Sequence, residues 1–186
     1  MTRLFLTVTV VLSAYLVALA GCASSGASSL GRIPIRSAIC VLQPTEGHTC
    51  SGVVRFVQAG GSVKVIADVS GLTSGAQHAI HIHEFGDVTS DDGTSAGGHY
   101  NPQGNRHGLP TTARRHAGDL GNLTADSAGN AHYEVTVSNI SITGPKNPIV
   151  GRAVVVHAKA DTGAQPTGAA GPRIAVGAIG IAKADR

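Results

Sequence analysis

The chain has 186 residues and a formal net charge of +3, and only 3% of its residues are aromatic. Without a run of Lys and Arg, and with so few aromatic rings, it has neither the charge pattern nor the base-stacking surface of a nucleic-acid-binding protein. Abundant Gly, Val, Ile and Ala, with scattered Asn and Pro turns, favour an all-β domain. We therefore expect no nucleic-acid partner.

The N-terminus has the layout of an export signal. Arg3 precedes an apolar run over residues 4–20, which is marginal in length for a transmembrane helix and ends in small residues. Residues 19–22 read Leu-Ala-Gly-Cys and resemble the bacterial lipobox, which makes Cys22 the expected lipidated first residue of the mature protein. We predict that residues 1–21 are a lipoprotein signal peptide, and that the protein is exported to the cell envelope or periplasm and anchored to a membrane through its lipid.

The rest of the chain divides into a tether and one domain. Residues 22–34 are rich in Ser, Ala and Gly and predict a flexible tether. Residues 35–186 are long enough to bury a single core. Eight short segments in this domain read as β-strands, several with alternating apolar residues, and none shows a sustained helical period. The predicted strands are residues 36–43, 52–58, 62–69, 78–84, 118–123, 131–137, 152–158 and 173–182. This pattern predicts an eight-stranded Greek-key β-barrel or sandwich of immunoglobulin-like type.

Two predicted loops interrupt the strands. Residues 86–117 form a long stretch with little periodicity, and loops of this length in compact domains are usually functional or disordered. This loop carries His99, His107 and His116, so metal ligation can hold it in place. A second, Gly- and Pro-rich loop over residues 161–172 follows His157.

The histidines suggest two metal sites. His81 and His83 alternate along a predicted strand, which places both rings on one face. Six histidines and one aspartate are too many for one ordinary site and suit two, because four nitrogens suit copper and three histidines with an aspartate suit zinc. The full set is His81, His83, His99, His107, His116, Asp119 and His157. Any single one of them could instead be a surface or core histidine.

Four sequence blocks, in this order, resemble the copper/zinc superoxide dismutase family. They are AIHIHEFGD at residues 79–87, TSAGGHYNP at 94–102, RHAGDLGN at 115–122 and GRAVVVH at 151–157. The resemblance extends from about residue 38 to residue 183. It implies that the protein disproportionates superoxide into oxygen and hydrogen peroxide by a copper redox cycle, with a zinc-supported bridging histidine.

The resemblance also assigns roles to individual residues. It implies copper ligands at His81, His83, His99 and His157, and zinc ligands at His99, His107, His116 and Asp119, with His99 as the bridge. Asp161 matches an aspartate that hydrogen-bonds a ligand histidine of each metal and so fixes ring orientation. Arg173 matches the active-site arginine, whose guanidinium can attract the superoxide anion. Without the resemblance, Arg173 would read as an ordinary surface charge.

The chain departs from the family pattern in its cysteines. The positions of the usual intrasubunit disulfide hold Gly93 and Val176, so that bond cannot form. Cys40 and Cys50 are equally spaced about Thr45 in the first predicted hairpin, which favours a cross-strand disulfide in an exported protein. The alternative is two reduced, buried thiols. Because the lost bond supported the family's usual dimer contact, both a homodimer and a monomer stay open.

Two other functions compete with a dismutase. A non-catalytic, exported copper-binding or copper-delivery protein could share the fold, but it needs neither a bridging histidine nor an anion-guiding Arg173. A mononuclear zinc hydrolase needs a carboxylate base beside an open three-ligand site. Glu84 is the only candidate base, and the strand alternation points it away from the histidine face.

Overall fold

A computed structural model describes residues 35–183 of the protein. It contains eight strands: β1 (Ser37–Pro44), β2 (Ser51–Ala59), β3 (Ser62–Ser70), β4 (Gln77–His83), β5 (Asp119–Thr124), β6 (Ala131–Val137), β7 (Ala153–His157) and β8 (Arg173–Ile181). Every predicted strand is present within a residue or two of its expected bounds, so the all-β prediction is confirmed. In this part of the chain the single helical element is a 3₁₀ turn, Thr94–Ala96, and no helix is long and apolar enough to cross a membrane. The predicted signal peptide and tether lie outside the described residues.

The strands form a nearly closed antiparallel barrel. Their order is β5-β4-β7-β8-β1-β2-β3-β6, and each neighbouring pair is antiparallel. The two end strands lie beside each other, and the Tyr133 hydroxyl of β6 donates a hydrogen bond to the Leu120 carbonyl of β5. Closure leaves few unpaired strand edges.

Alternation of buried and exposed residues shows where the core lies. In β3, Val63, Val65, Ala67 and Val69 are buried while the intervening residues are more exposed, as expected of a strand with one face on the core. Strand β4 differs, because residues 78–83 are all buried. This strand must therefore be covered on both of its faces.

The outer face of β4 and β7 lies beneath the long loop. Ile80 and Ile82 belong to the barrel core, whereas His81 and His83 pair with Val155 and Ala153 of β7. Those two β7 residues form a second apolar cluster with Ala96 of the loop and Val176 of β8. Because paired residues share a face of a sheet, both histidines point outwards under the loop.

Backbone pairing carries the loop back along β4. The Glu84 N–H donates to the Gly98 carbonyl at 3.0 Å, and the Tyr100 N–H donates to the Ile82 carbonyl at 2.9 Å. His99, between these two contacts, forms an isolated antiparallel bridge with His83. The loop thus brings His99 to the face that His81 and His83 occupy.

The predicted Cys40–Cys50 disulfide is wrong, and the register of the first hairpin shows why. Cys40 lies opposite Val54 and Leu42 opposite Gly52, so Cys50 lies four residues beyond Cys40 towards the turn. At about 3.3 Å per residue the offset is roughly 13 Å, whereas bridged Cα atoms lie within about 7 Å. Both cysteines are free and buried, and burial raises the pKa of each thiol to about 12. They behave as small apolar side chains.

Candidate metal centre

Four histidines from three parts of the fold meet above the outer face of β4. They are His81 and His83 of β4, His99 of the long loop and His157 at the end of β7, and one ring nitrogen of each lies within 4.8 Å of the others. A register shift between Val156 and His157 re-aims the last residue of β7 as the strand meets β8. All four are buried.

A second group adjoins the first and shares His99. It consists of His99, His107, His116 and Asp119, and their ligand atoms also lie within 4.8 Å of one another. The Asp119 Oδ1 atom lies 3.0 Å from Nδ1 of His99, 3.0 Å from Nδ1 of His107 and 3.3 Å from Nδ1 of His116. Tetrahedral zinc with bonds of about 2.0–2.1 Å holds neighbouring ligand atoms about 3.3 Å apart. The spacing of this group therefore fits zinc.

Asp161 links the two groups by contacting one histidine of each. Its Oδ2 lies 3.0 Å from Nε2 of His81, and its Oδ1 lies 2.9 Å from Nε2 of His107. Asn122 holds Asp161 through two hydrogen bonds, because its side chain accepts from the Asp161 N–H at 2.7 Å and donates to the Asp161 carbonyl at 3.0 Å. A Cβ atom at Gly168 would lie 2.3 Å from Asp161 Oδ1, so only glycine leaves room for this carboxylate.

The hydrogen bonds of the first group leave one nitrogen free on three of its rings. His83 Nδ1 donates to the Gly97 carbonyl at 2.9 Å, and His157 Nδ1 donates to the Gly171 carbonyl at 3.1 Å. The opposite nitrogens of both rings, together with His81 Nδ1, are buried without a hydrogen-bond partner. A buried polar atom left unpaired costs about 1–3 kcal/mol. A bound metal ion removes that cost, so these residues fit copper.

Burial also keeps three rings of the first group, those of His81, His83 and His157, uncharged. It lowers the pKa of His81 to about 4 and of His157 to about 3, and it holds the pKa of His83 well below its usual range. Desolvation penalises the charged form of a buried imidazole. These rings are consequently neutral at physiological pH, which is the form that binds metal.

Asp119 carries the negative charge of the second group. Burial raises the pKa of its carboxyl group, but hydrogen bonds from His99 and from the Gly108 N–H outweigh burial and bring the pKa below its usual value. The carboxylate is therefore ionised when it meets the three histidine nitrogens. Three histidine nitrogens and one carboxylate suit a structural zinc ion.

Arg173 lies at the start of β8, beside the first group. Its guanidinium donates to the Gly93 and Gly97 carbonyls of the long loop, the latter at 2.7 Å. Gly97 also accepts the hydrogen bond from His83, so one carbonyl contacts both the arginine and a histidine of the first group. A Cβ at Gly93 would lie 3.5 Å from the Val176 Cβ. The two positions face each other, and Arg173 ties the loop down where these residues cannot form a disulfide.

Some residues that shape the centre were not singled out from the sequence. Asn122 and Gly168 hold Asp161, and the carbonyls of Gly93, Gly97 and Gly171 orient Arg173 and two histidines. Asn122 lies within the block at residues 115–122, so only its position signalled a role. The carbonyls had no signal, because every residue has one.

The nearly closed antiparallel barrel carries two adjoining ligand groups that have one histidine in common. One group has four histidines, and the other has three histidines and an aspartate. This combination defines the class of the molecule as a protein with paired copper and zinc sites. Residues 50–179 match the model of the copper/zinc superoxide dismutase family. The chain is 45% identical over 163 residues to a Cu-Zn superoxide dismutase of Paramecium bursaria Chlorella virus 1, covering 84% of each chain. It is 44% identical over 151 residues to Cu-Zn superoxide dismutase 2 of Brassica juncea, covering 77% of this chain and 96% of the relative.

The chain belongs to the copper/zinc superoxide dismutase family. Membership of this family confirms the predictions of a superoxide-dismutating enzyme and of copper and zinc as its cofactors. The roles of the individual ligands, of Asp161 and of Arg173 stay predictions, which the distances above support.

Proposed function

We propose that His81, His83, His99 and His157 hold copper, that His99, His107, His116 and Asp119 hold zinc, and that Arg173 binds superoxide beside the copper. The observation that carries this proposal is the sharing of His99 by two buried ligand groups next to a loop-bound guanidinium. Bound copper supplies the one-electron couple that turns two superoxide anions and two protons into oxygen and hydrogen peroxide.

The protein residues position the anion and a proton. Arg173 attracts and orients superoxide with a guanidinium whose direction is set by two carbonyls. His99 directs Nδ1 to Asp119, so its Nε2 is the nitrogen available to the copper group and can hold a proton near the bound anion. Asp161 keeps His81 and His107 in fixed ring orientations.

A copper-delivery protein on the same fold is less well supported. Storage or transfer requires copper ligands that can release the ion, but it gains nothing from an arginine fixed beside them. The shared histidine and the tightly spaced zinc group favour a permanent binuclear centre instead.

Metal analysis combined with an activity assay tests this proposal. We expect one copper and one zinc per chain after reconstitution with both metals, and rapid dismutation of superoxide by the purified protein. Anomalous scattering at the two metal edges should place the ions on opposite sides of the His99 ring. A single occupied site, or a doubly loaded protein without dismutation, would contradict it.

We also propose that the enzyme is exported and anchored through a lipid on Cys22. The charged start, the apolar run and the residues Leu-Ala-Gly-Cys at 19–22 support this proposal. We expect mass spectrometry of the native protein to find Cys22 as a lipid-modified N-terminal residue. An unmodified Cys22, or cleavage at another position, would indicate a secreted enzyme without an anchor. A monomer and a homodimer both stay open, and sedimentation analysis distinguishes them.

A further inference from the structure

A cleft of about 280 Å³ borders Arg173, and its charges are of both signs. Arg173 and Gly171 form one part of its lining, and Glu46, His48 and Asp92 form another. The Gly171 carbonyl accepts the hydrogen bond from His157, and Arg173 shares the Gly97 carbonyl with His83. The cleft therefore lies directly against the residues that orient two of the proposed copper ligands.

Asp92 is held in this cleft as a fixed negative charge. Its Oδ1 accepts hydrogen bonds from the Thr94 N–H at 2.9 Å and from the Thr94 hydroxyl at 2.7 Å. These bonds lower the pKa of Asp92, so the carboxylate is ionised at physiological pH. The next residue, Gly93, offers its carbonyl to the Arg173 guanidinium. The Asp92 carboxylate is therefore one residue away from the carbonyl that holds the Arg173 guanidinium.

Asp92 and Arg173 interact through their charges. Burial lowers the pKa of Arg173, and the negative charge of Asp92 acts in the opposite direction. A carboxylate that favours the charged guanidinium also reduces the positive potential that an approaching anion meets. Its effect on a negatively charged substrate is repulsive.

We propose that Asp92 limits the rate at which superoxide enters the copper site, because it partly neutralises the attraction of Arg173 in the cleft that both residues line. The inference rests on the proposed role of Arg173 in binding superoxide. Asp92 need not touch the substrate: it lowers the positive potential through which the anion approaches Arg173, and so it lowers kcat/KM and weakens its dependence on salt.

The test replaces Asp92 by asparagine, with a matched control on the same loop. The amide oxygen of Asn can still accept both hydrogen bonds from Thr94, so the change removes charge and keeps the turn. Asp87 makes the same pair of contacts with Thr89, at 3.0 Å and 2.7 Å. It does not line the cleft. Asp87→Asn therefore makes the same change in net charge and in turn chemistry away from Arg173.

We expect Asp92→Asn to raise kcat/KM for superoxide by about two- to threefold at low ionic strength, and Asp87→Asn to leave it close to wild type. The gain should shrink towards unity as salt rises, because the Debye length falls to about 8 Å at physiological ionic strength and to about 3 Å at 1 M. Azide, a small anion without redox turnover, should bind the copper-loaded Asp92→Asn protein more tightly by a similar factor in an absorbance titration.

Each result separates this inference from the proposed function. If the wild-type protein loaded with both metals does not dismutate superoxide, the proposed function fails. If the wild type is active but Asp92→Asn leaves kcat/KM and azide affinity unchanged, or lowers them, Asp92 does not oppose the substrate. An equal gain in Asp87→Asn would point to overall net charge rather than to the charge in the cleft.

Discussion

Replacing Asp119 by alanine is expected to abolish zinc binding, release the 86–117 loop and lower the thermal midpoint by about 10 °C, taking about 2–4 °C per kcal/mol for a domain of this size. Asp119 Oδ1 contacts all three histidines of its group. Its Oδ2 accepts the Gly108 and His116 N–H groups, each at 3.0 Å. The change therefore removes a zinc ligand and leaves two loop N–H groups unpaired, at about 1–3 kcal/mol each.

The measurement compares Asp119→Ala with His81→Ala. His81 belongs to the copper group and not to the zinc group, so its loss should reduce dismutation to the background of the assay while zinc stays bound. Because it leaves Asp161 Oδ2 without its histidine partner, we expect a fall in the thermal midpoint that is smaller than that of Asp119→Ala. Hydrogen exchange across residues 86–117 should speed up in Asp119→Ala alone. Identical profiles of stability, metal content and activity in the two variants would show that zinc and copper do not have the separate roles proposed here.

The strands could be predicted because alternation is a local signal. Val63, Val65, Ala67 and Val69 of β3 repeat every two residues, and the structure buries all four. The loop over residues 86–117 was predicted for the opposite reason, since it lacks any period. Its path back along β4 depends on long-range backbone pairs, which leave no mark on residue identity.

The cysteine prediction failed because a register cannot be read from spacing alone. Equal spacing about Thr45 assumes that Thr45 is the apex of the hairpin. In the structure Thr45 is bound to β8, through its N–H to Ile174 and its hydroxyl to the Arg173 carbonyl at 2.7 Å. The pairing with β8 extends β1 to Pro44 and moves the turn towards the C-terminus. The neighbouring strand, and not the hairpin sequence, thus sets the offset of Cys40 and Cys50.

Some features of the metal centre could likewise be predicted from the sequence, and others depend on the folded structure. The presence of two metal sites could be predicted because six histidines and one aspartate are too many ligands for one site, whereas the division of these ligands between copper and zinc was implied by the family resemblance. The link through Asp161 was implied only by the family resemblance, since an isolated aspartate in a Gly-rich loop has no distinctive pattern. The support from Asn122 and Gly168 depends on three-dimensional contacts between β5 and the second loop.

Arg173 is the second site where a large effect is expected. Replacing Arg173 by glutamate should slow dismutation by about a hundredfold, and replacing it by alanine by about tenfold, because a fixed charge beside a narrow site changes the association rate of an ion by about 10- to 1,000-fold. Both metals should stay bound, since the Arg173 guanidinium donates to loop carbonyls and not to the side chain of a proposed ligand, and the substitutions leave the backbone pairing of Arg173 with His157 in place. Stopped-flow rates and metal analysis of the three proteins give the comparison.

Salt dependence distinguishes a guiding charge from a structural one. Added salt should depress the wild-type rate and leave the rate of Arg173→Glu unchanged or raised, because screening weakens attraction in the first and repulsion in the second. Arg55→Glu makes the same change in net charge on the exposed side of β2 and should behave as wild type. The Arg173→Ala protein shows how much the hydrogen bonds to the loop contribute, because it loses the bonds to Gly93 and Gly97 without gaining a repulsive charge. If Arg173→Ala were as slow as Arg173→Glu at every ionic strength, Arg173 would act by holding the loop, and superoxide would reach copper without its charge.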